Sequence, residues 1–256
     1  MHMPEITEAD IEIFILMFLR VSAIVGTMPI LGNRNVPVRV KGGMSLVIVL
    51  LLFPVTAFHP PGSGVLPLIL QMAGEVIIGI IIGFAGKLVF AGVQLAGQLA
   101  GFQMGFAIVN VFDPVTSAQV SIVAQLQYLF AMLVFLAIDG HHLFLYAIAE
   151  SYRMVPPLDF RFSGELMQTL VHMSRDMFVV AVRMGAPVFV TLLMVSLGFG
   201  LIARTVPQIN ILIVGFPIKI AVGLLGIVLT LPIFSRILGN IIMDFGDMLR
   251  LLFRVM

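Results

Sequence analysis

Residues 97–125 read GQLAGFQMGFAIVNVFDPVTSAQVSIVAQ, and this stretch decides how the rest of the chain is interpreted. Gly97, Gly101 and Gly105 recur at four-residue spacing, so three positions without side chains share one face of a helix. In an apolar environment such a face lets a neighbouring helix approach closely. Pro114 then ends the helix, because the residue before a proline is disfavoured in the α region. The pattern predicts a tightly packed helix followed by a polar, helix-breaking loop.

The composition is that of a membrane protein. The chain has 256 residues, of which 60% are hydrophobic and 11% are charged, against about 25% charged in soluble domains. The net charge of +1 and the lack of a basic stripe predict no nucleic-acid partner. There are 21 phenylalanines but no tryptophan and only three tyrosines. Membrane proteins normally mark the lipid–water interface with Trp and Tyr, so this composition favours burial among partner subunits.

Further glycines and several charged residues lie within the apolar stretches. Gly79 and Gly83 form another small-residue face, for which close helix packing is the expected use. A charged side chain costs about 2.5–3.5 kcal/mol at the centre of a membrane helix, so it should face a partner or water. The sequence favours interhelical ion pairs, within the chain or between subunits, and leaves a pore or proton-pathway role open. The four charges concerned are Glu75, Lys87, Arg183 and Lys219.

The order of segments predicts an all-α membrane protein. Thr7 and Asp10 resemble a capping box, which starts a first helix predicted to run to about residue 31. The uncharged stretch 118–138 is the strongest candidate for a conventional membrane span. A polar connector near residue 160 divides the chain into a larger multi-helix part, 1–160, and a helical hairpin with an amphipathic tail, 161–256.

No catalytic or metal-binding motif stands out. Asp139, His141 and His142 are the most metal-like group. Adjacent histidines on a helix point about 100° apart, so both cannot easily bind one ion. No glycine-rich phosphate loop occurs, and nothing places a nucleophile beside a base. The sequence therefore predicts no enzyme activity, no cofactor and no metal.

Two classes of function remain open from these residues alone. One is a small channel or transporter whose path is lined by helices broken at Asp113-Pro114 and at Pro217. The other is a structural subunit of a larger membrane complex, with its charges and glycines buried against other chains. The missing aromatic belt favours the complex.

Four segments resemble the FliR family, the flagellar export-gate subunit whose injectisome counterparts are SpaR and SctT. Together with the length and hydropathy, the resemblance covers essentially the whole chain. The segments are PILGNRNVPVRVKGG (29–43), GQLAGFQMGFAIVNVFDP (97–114), FLAIDGHHLFLYAIAESYRMVPP (135–157) and ARTVPQINILIVGFPIKIAVG (203–223).

The resemblance implies a FliP-like part followed by a FliQ-like helical hairpin, in agreement with the division near residue 160. It implies a helical hetero-oligomeric export gate in the flagellar basal body of the bacterial inner membrane. The expected partners are FliP, FliQ, FlhB and FlhA, together with the unfolded proteins that are exported. The alternatives are the equivalent injectisome subunit and a stand-alone membrane transporter.

The resemblance also implies that the loop after the glycine face projects into the central pore as a plug. Bulky apolar side chains on a loop can block water and ions, and a loop can move aside for an unfolded substrate. By position, the plug would consist of Gly105, Phe106, Val109, Phe112, Asp113 and Pro114.

Overall fold

The computed structural model describes residues 7–33, 35–55, 65–106, 121–156, 160–206, 208 and 210–256. Within these residues the regular structure is helical and contains no strand, which confirms the all-α fold. The helices are α1 (Glu8–Thr27), α2 (Val38–Leu52, followed by a 3-10 turn at Phe53–Val55), α3 (Val65–Met104), α4 (Ile122–Ala137), α5 (Gly140–Met154), α6 (Gly164–Thr205) and α7 (Ile211–Val255).

Three of the described helices are long and apolar enough to cross a membrane, which makes this a membrane protein by length and composition. They are α3, α6 and α7, and a fourth span is obtained if α4 and α5 are counted as one interrupted segment. The prediction that 118–138 is the best conventional span is wrong. Helix α4 begins at Ile122 and has 16 residues, fewer than the roughly 20 that hydrocarbon requires.

The N-terminal helix starts where the sequence predicts and ends earlier. The Thr7 side chain accepts a hydrogen bond from the Asp10 N–H, and the Asp10 carboxylate accepts one from the Thr7 N–H, so the capping box is confirmed. Helix α1 ends at Thr27, and not near residue 31 as expected. Met28 is extended (φ −63°, ψ 153°) because it precedes Pro29, whose ring disfavours the α region for the residue before it.

The two C-terminal helices continue through their prolines. Pro187 lies inside α6, and Pro217 and Pro232 lie inside α7. The predicted break at Pro217 is therefore wrong. A proline removes one helical hydrogen bond, and long apolar helices tolerate that loss where neighbouring groups satisfy the carbonyl that is left over. The other predicted break, at Asp113-Pro114, lies outside the described residues.

The chain contains two compact units, each with its own buried core. Unit 1 comprises Met1–Leu88, Asp139–Met173 and Met243–Met256, and unit 2 comprises Val89–Ile138 and Ser174–Ile242. Fully buried residues of unit 1 include Met17, Val21, Ile24, Ile82 and Ile148, and the cluster in unit 2 consists of Ala100, Met104, Val123, Val188, Leu192 and Ile227. The division into a FliP-like and a FliQ-like part refers to similarity with other proteins. The two compact units do not test that similarity, and the division stays a prediction.

Candidate functional site

In unit 2 the glycine face of α3 lies against the start of α4. A Cβ added at Gly97 would stand 2.5 Å from the Cα of Ala124. A Cβ added at Gly101 would overlap the hydroxyl of Ser121. Because real Cβ atoms essentially never come within 3.0 Å of another heavy atom, a side chain at Gly97 would push the backbone of α4 away, and one at Gly101 would displace the Ser121 side chain.

Gly105 ends α3 in a conformation that favours glycine. Its φ of 96° lies in the left-handed region, where a residue with a Cβ is strained. Its N–H donates to the Phe102 carbonyl at 3.1 Å. A Cβ at this position would also overlap the ring of Phe216 in α7. The chain therefore leaves α3 at a position that both the backbone and the neighbouring ring restrict to glycine.

The last turn of α3 is anchored in the core of unit 2. Met104 is fully buried, and its side chain occupies the space beside Gly223 of α7, where an added Cβ would stand 2.8 Å from the Met104 Cγ. Phe106 is half-buried and packs against the unit 2 cluster. Phe106, the first aromatic residue that the resemblance assigns to the plug, therefore packs against the buried apolar cluster of unit 2.

The remaining plug residues lie outside the described part of the chain, so their roles stay predictions: Val109, Phe112, Asp113 and Pro114. The sequence does not identify Phe216 as a neighbour of Gly105, or Gly223 as a neighbour of Met104. The segment 203–223, quoted above for another reason, contains Phe216 and Gly223. Only the folded chain brings them to the end of α3.

A buried ion pair lies in unit 1. Arg20 and Glu75 are 0% and 1% exposed, and their two contacts are Nε to Oε2 at 2.5 Å and Nη2 to Oε1 at 2.8 Å. Arg20 Nη1 donates to the carbonyls of Ser151 and Val155, both at 3.0 Å. The guanidinium carbon lies 4.4 Å from the centre of the Tyr152 ring. Such bidentate and stacked geometry is specific to arginine.

This pair connects three helices of unit 1. Arg20 comes from α1 and Glu75 from α3, and the carbonyls belong to the end of α5, where the helix dipole favours a cation. The Tyr152 hydroxyl donates to the Met17 carbonyl at 3.1 Å and so adds a second link between α5 and α1. Sequence reasoning singled out Glu75 but did not assign its partner. Arg20 is likewise a charged residue inside an apolar helix, so the same reasoning could have singled it out.

The second glycine face of α3 also lies in unit 1, beside the ion pair. A Cβ at Gly79 would stand 2.5 Å from the Cβ of Ala23, and a Cβ at Gly83 would overlap the Thr27 side chain. The Thr27 hydroxyl donates to the Ala23 carbonyl at 2.5 Å. Helices α1 and α3 therefore approach closely enough for the Arg20 side chain to reach Glu75.

The other three charges have a different environment. Lys87 and Arg183 are exposed on the chain, and Lys219 is half-buried. None of them forms a salt bridge with a residue that the structure describes. Glu75 is paired within the chain, whereas pairing of the other three charges with groups of other subunits stays a prediction.

The comparison with known proteins identifies the family. A sequence profile of the family described as bacterial export proteins, family 1, matches residues 11–245. The chain belongs to this family. The match to the bacterial export proteins includes Arg20, Glu75 and the glycine faces of α3, which all fall inside the matched region.

Several relatives carry the name flagellar biosynthetic protein FliR, which confirms the resemblance drawn from the sequence. The protein of that name from Bacillus subtilis (strain 168) is 34% identical over 232 residues, 89% of each chain. The one from Pectobacterium carotovorum subsp. carotovorum is 28% identical over 91% of this chain and 89% of its own. The Escherichia coli (strain K12) protein is 28% identical over 90% of this chain and 88% of its own.

Proposed function

We propose that this chain is a non-enzymatic core subunit of the flagellar type III protein export gate in the bacterial inner membrane. The observation that carries the proposal is the match to bacterial export proteins over residues 11–245, with relatives named as flagellar biosynthetic proteins. Because the relatives compared above are flagellar, the flagellar role is favoured over that of the equivalent injectisome subunit.

The exposed surfaces of the long helices support a role within a complex. In the most apolar 18-residue stretches of α6 and α7, the chain itself buries only 11% and 17% of the stretch. Large apolar faces must be covered by lipid or by other proteins. The absence of tryptophan and the presence of only three tyrosines favour protein, because lipid-facing helices usually carry an aromatic belt. FliP and FliQ are the proposed neighbours, with FlhB and FlhA as further partners.

The end of α3 supports the plug. A pore plug must be held firmly at its base and yet be able to move as a loop. Gly105 leaves the helix in the left-handed region. Met104 belongs to the buried cluster of unit 2, and Phe106, the first large side chain of the proposed plug, is partly buried against that cluster. The proposal assigns the seal to Phe106 and Phe112, which would block small ions in the closed gate.

Native mass spectrometry of the detergent-purified protein, expressed alone and together with FliP and FliQ, tests the assembly. A defined hetero-oligomer that contains one copy of this chain is the expected result. A stable, monodisperse particle of this chain alone, formed in the presence of both partners, would contradict the proposal and favour the stand-alone transporter.

Ion permeability tests the plug. Replacing Phe106 and Phe112 with serine should increase leakage of small ions through the closed gate, because polar, smaller side chains no longer exclude water. The measurement is ion flux in vesicles that contain the assembled complex. Phe162→Ser provides the control, since Phe162 is exposed in unit 1 and far in sequence from the loop. Unchanged flux in a fully assembled Phe106→Ser/Phe112→Ser gate would refute the plug assignment.

A further inference from the structure

The junction between α4 and α5 places three potential metal ligands together. Asp139 caps α5 with φ 56° and ψ 28°, and it is the only residue other than glycine with a positive φ in the described part of the chain. Aspartate tolerates this left-handed conformation better than most residues. Asp139 lies directly before the first turn of α5, which carries His141 and His142.

The two imidazoles lie side by side. Their ring centres are 4.2 Å apart with an interplanar angle of 38°. One ligand atom from each of Asp139, His141 and His142 lies within 4.8 Å of the others. The Cα–Cβ bonds of adjacent residues on a helix diverge by about 100°, and for this reason the sequence alone predicts no metal site. Rotation of the side chains overcomes that divergence here.

These groups have little else to bind. The Nδ1 atom of His141 is buried and has no hydrogen-bond partner among the described residues. The Nδ1 atom of His142 lies 3.9 Å from the Asp139 carboxylate, too far for a hydrogen bond. The side chains of His142 and Asp139 are 65% and 70% exposed. They can therefore move to metal–ligand distances of about 2.0–2.2 Å without disturbing a core.

We propose that Asp139, His141 and His142 form a binding site for a divalent transition-metal ion such as Zn²⁺, Co²⁺ or Ni²⁺. Two imidazole nitrogens with one carboxylate oxygen suit these ions, whereas Mg²⁺ and Ca²⁺ prefer sites made of oxygen. Three protein ligands leave a coordination position for water. The positive end of the α5 dipole disfavours a cation, and the Asp139 carboxylate offsets this effect. Because two of the three ligand side chains are exposed, we expect the ion to exchange readily and the fold to form without it.

The full-length protein, purified in detergent with an affinity tag that contains no histidine, provides the test. Replacing His2, His59 and His172 with glutamine leaves His141 and His142 as the chain's only histidines. Titration with Co²⁺, followed by visible absorption, should show one saturable site per chain. Zn²⁺ should displace the Co²⁺ and abolish the absorption bands.

Two variants in this background assign the ligands. His142→Ala and Asp139→Asn should each weaken Co²⁺ binding at least tenfold, and asparagine preserves the residue type that tolerates the left-handed backbone. Gel filtration and thermal unfolding without metal should match the parent, because both side chains are exposed. Absence of a saturable Co²⁺ site in the folded parent, or equal Co²⁺ affinity in parent and His142→Ala, would overturn the proposal.

Discussion

Two segments of the same helix, α3, are held by opposite means. Around Glu75, close packing of α1 and α3 brings a charged pair together, and each of the three guanidinium nitrogens of Arg20 donates to an acceptor. At Gly97, Gly101 and Gly105 no side chain is present, and neighbouring atoms occupy the space that a Cβ would need. The contact around Glu75 depends on charged side chains that are present, and the contact around Gly101 depends on the absence of a side chain. Removal of a group should therefore damage the first, and enlargement should damage the second.

The largest effect is expected at the ion pair. Glu75→Ala leaves the Arg20 guanidinium fully buried without a counter-charge. Breaking a buried pair in this way typically costs about 3–5 kcal/mol. The measurement is the unfolding free energy, or the unfolding temperature, of the protein in detergent.

A paired replacement separates charge burial from the need for a salt bridge. The double variant Arg20→Met/Glu75→Met removes both charges and fills similar volume, and such replacements are often neutral or stabilising. We expect it to recover most of the stability lost in Glu75→Ala. A double variant as unstable as the single one would show that the hydrogen bonds from Arg20 to the end of α5 matter more than the charge balance.

A smaller effect is expected at the glycine face. Gly101→Leu adds a side chain where a Cβ already overlaps the Ser121 hydroxyl, and overpacking of this kind costs about 1–3 kcal/mol. Gly198→Leu is the matched control, because a Cβ at Gly198 meets nothing within 4 Å in the chain. Thermal unfolding of the chain alone should separate the two variants. Equal unfolding temperatures would argue against a tightly packed face.

Yield of the assembled complex extends this comparison to the partners. Gly101→Leu should lower it, because the end of α3 can no longer pack. If Gly198→Leu also lowers the yield while leaving the chain's own stability unchanged, the open space at Gly198 is filled by another subunit.

The sequence predicted features that depend on local chemistry. The capping box at Thr7 and Asp10 was recognised from residue types three positions apart. The early end of α1 was missed, although Met28-Pro29 is also a local signal. The length of α4 was misjudged because hydropathy marks an apolar stretch and not the residues at which a helix starts or stops.

Features that depend on distant parts of the chain could not be read in this way. Glu75 was recognised as a costly charge, but its partner lies 55 residues away on another helix. Gly105 is predicted as the start of a loop, while Phe216, whose ring occupies the space that a Cβ at Gly105 would need, belongs to α7. A spacing rule tells which residues share one helix face. It does not tell which other helix that face meets.

The smallest effect is expected at the capping box of α1, whose hydrogen bonds are exposed, unlike those of the buried ion pair. The Asp10 carboxylate accepts hydrogen bonds from the Thr7 hydroxyl at 2.7 Å and from the Thr7 N–H at 2.9 Å. These bonds hold the pKa of Asp10 below its ordinary value of 3.8. A carboxylate with a lowered pKa in the folded state stabilises the fold above its ordinary pKa, and that contribution is lost as the pH falls through the folded-state value.

Thr7→Ala should therefore lower the unfolding temperature slightly at neutral pH, and by less at about pH 3, where part of the carboxylate's contribution is already gone from the parent. The difference in unfolding temperature between Thr7→Ala and the parent should become smaller at about pH 3 but should not vanish. The reason is that the Thr7 hydroxyl also accepts a hydrogen bond from the Asp10 N–H at 3.3 Å, and that bond does not require a charged carboxylate. Thr7→Ser keeps the hydroxyl and should match the parent at both pH values. A difference in unfolding temperature between Thr7→Ala and the parent that is the same at both pH values would mean that the hydroxyl acts through the backbone bond alone.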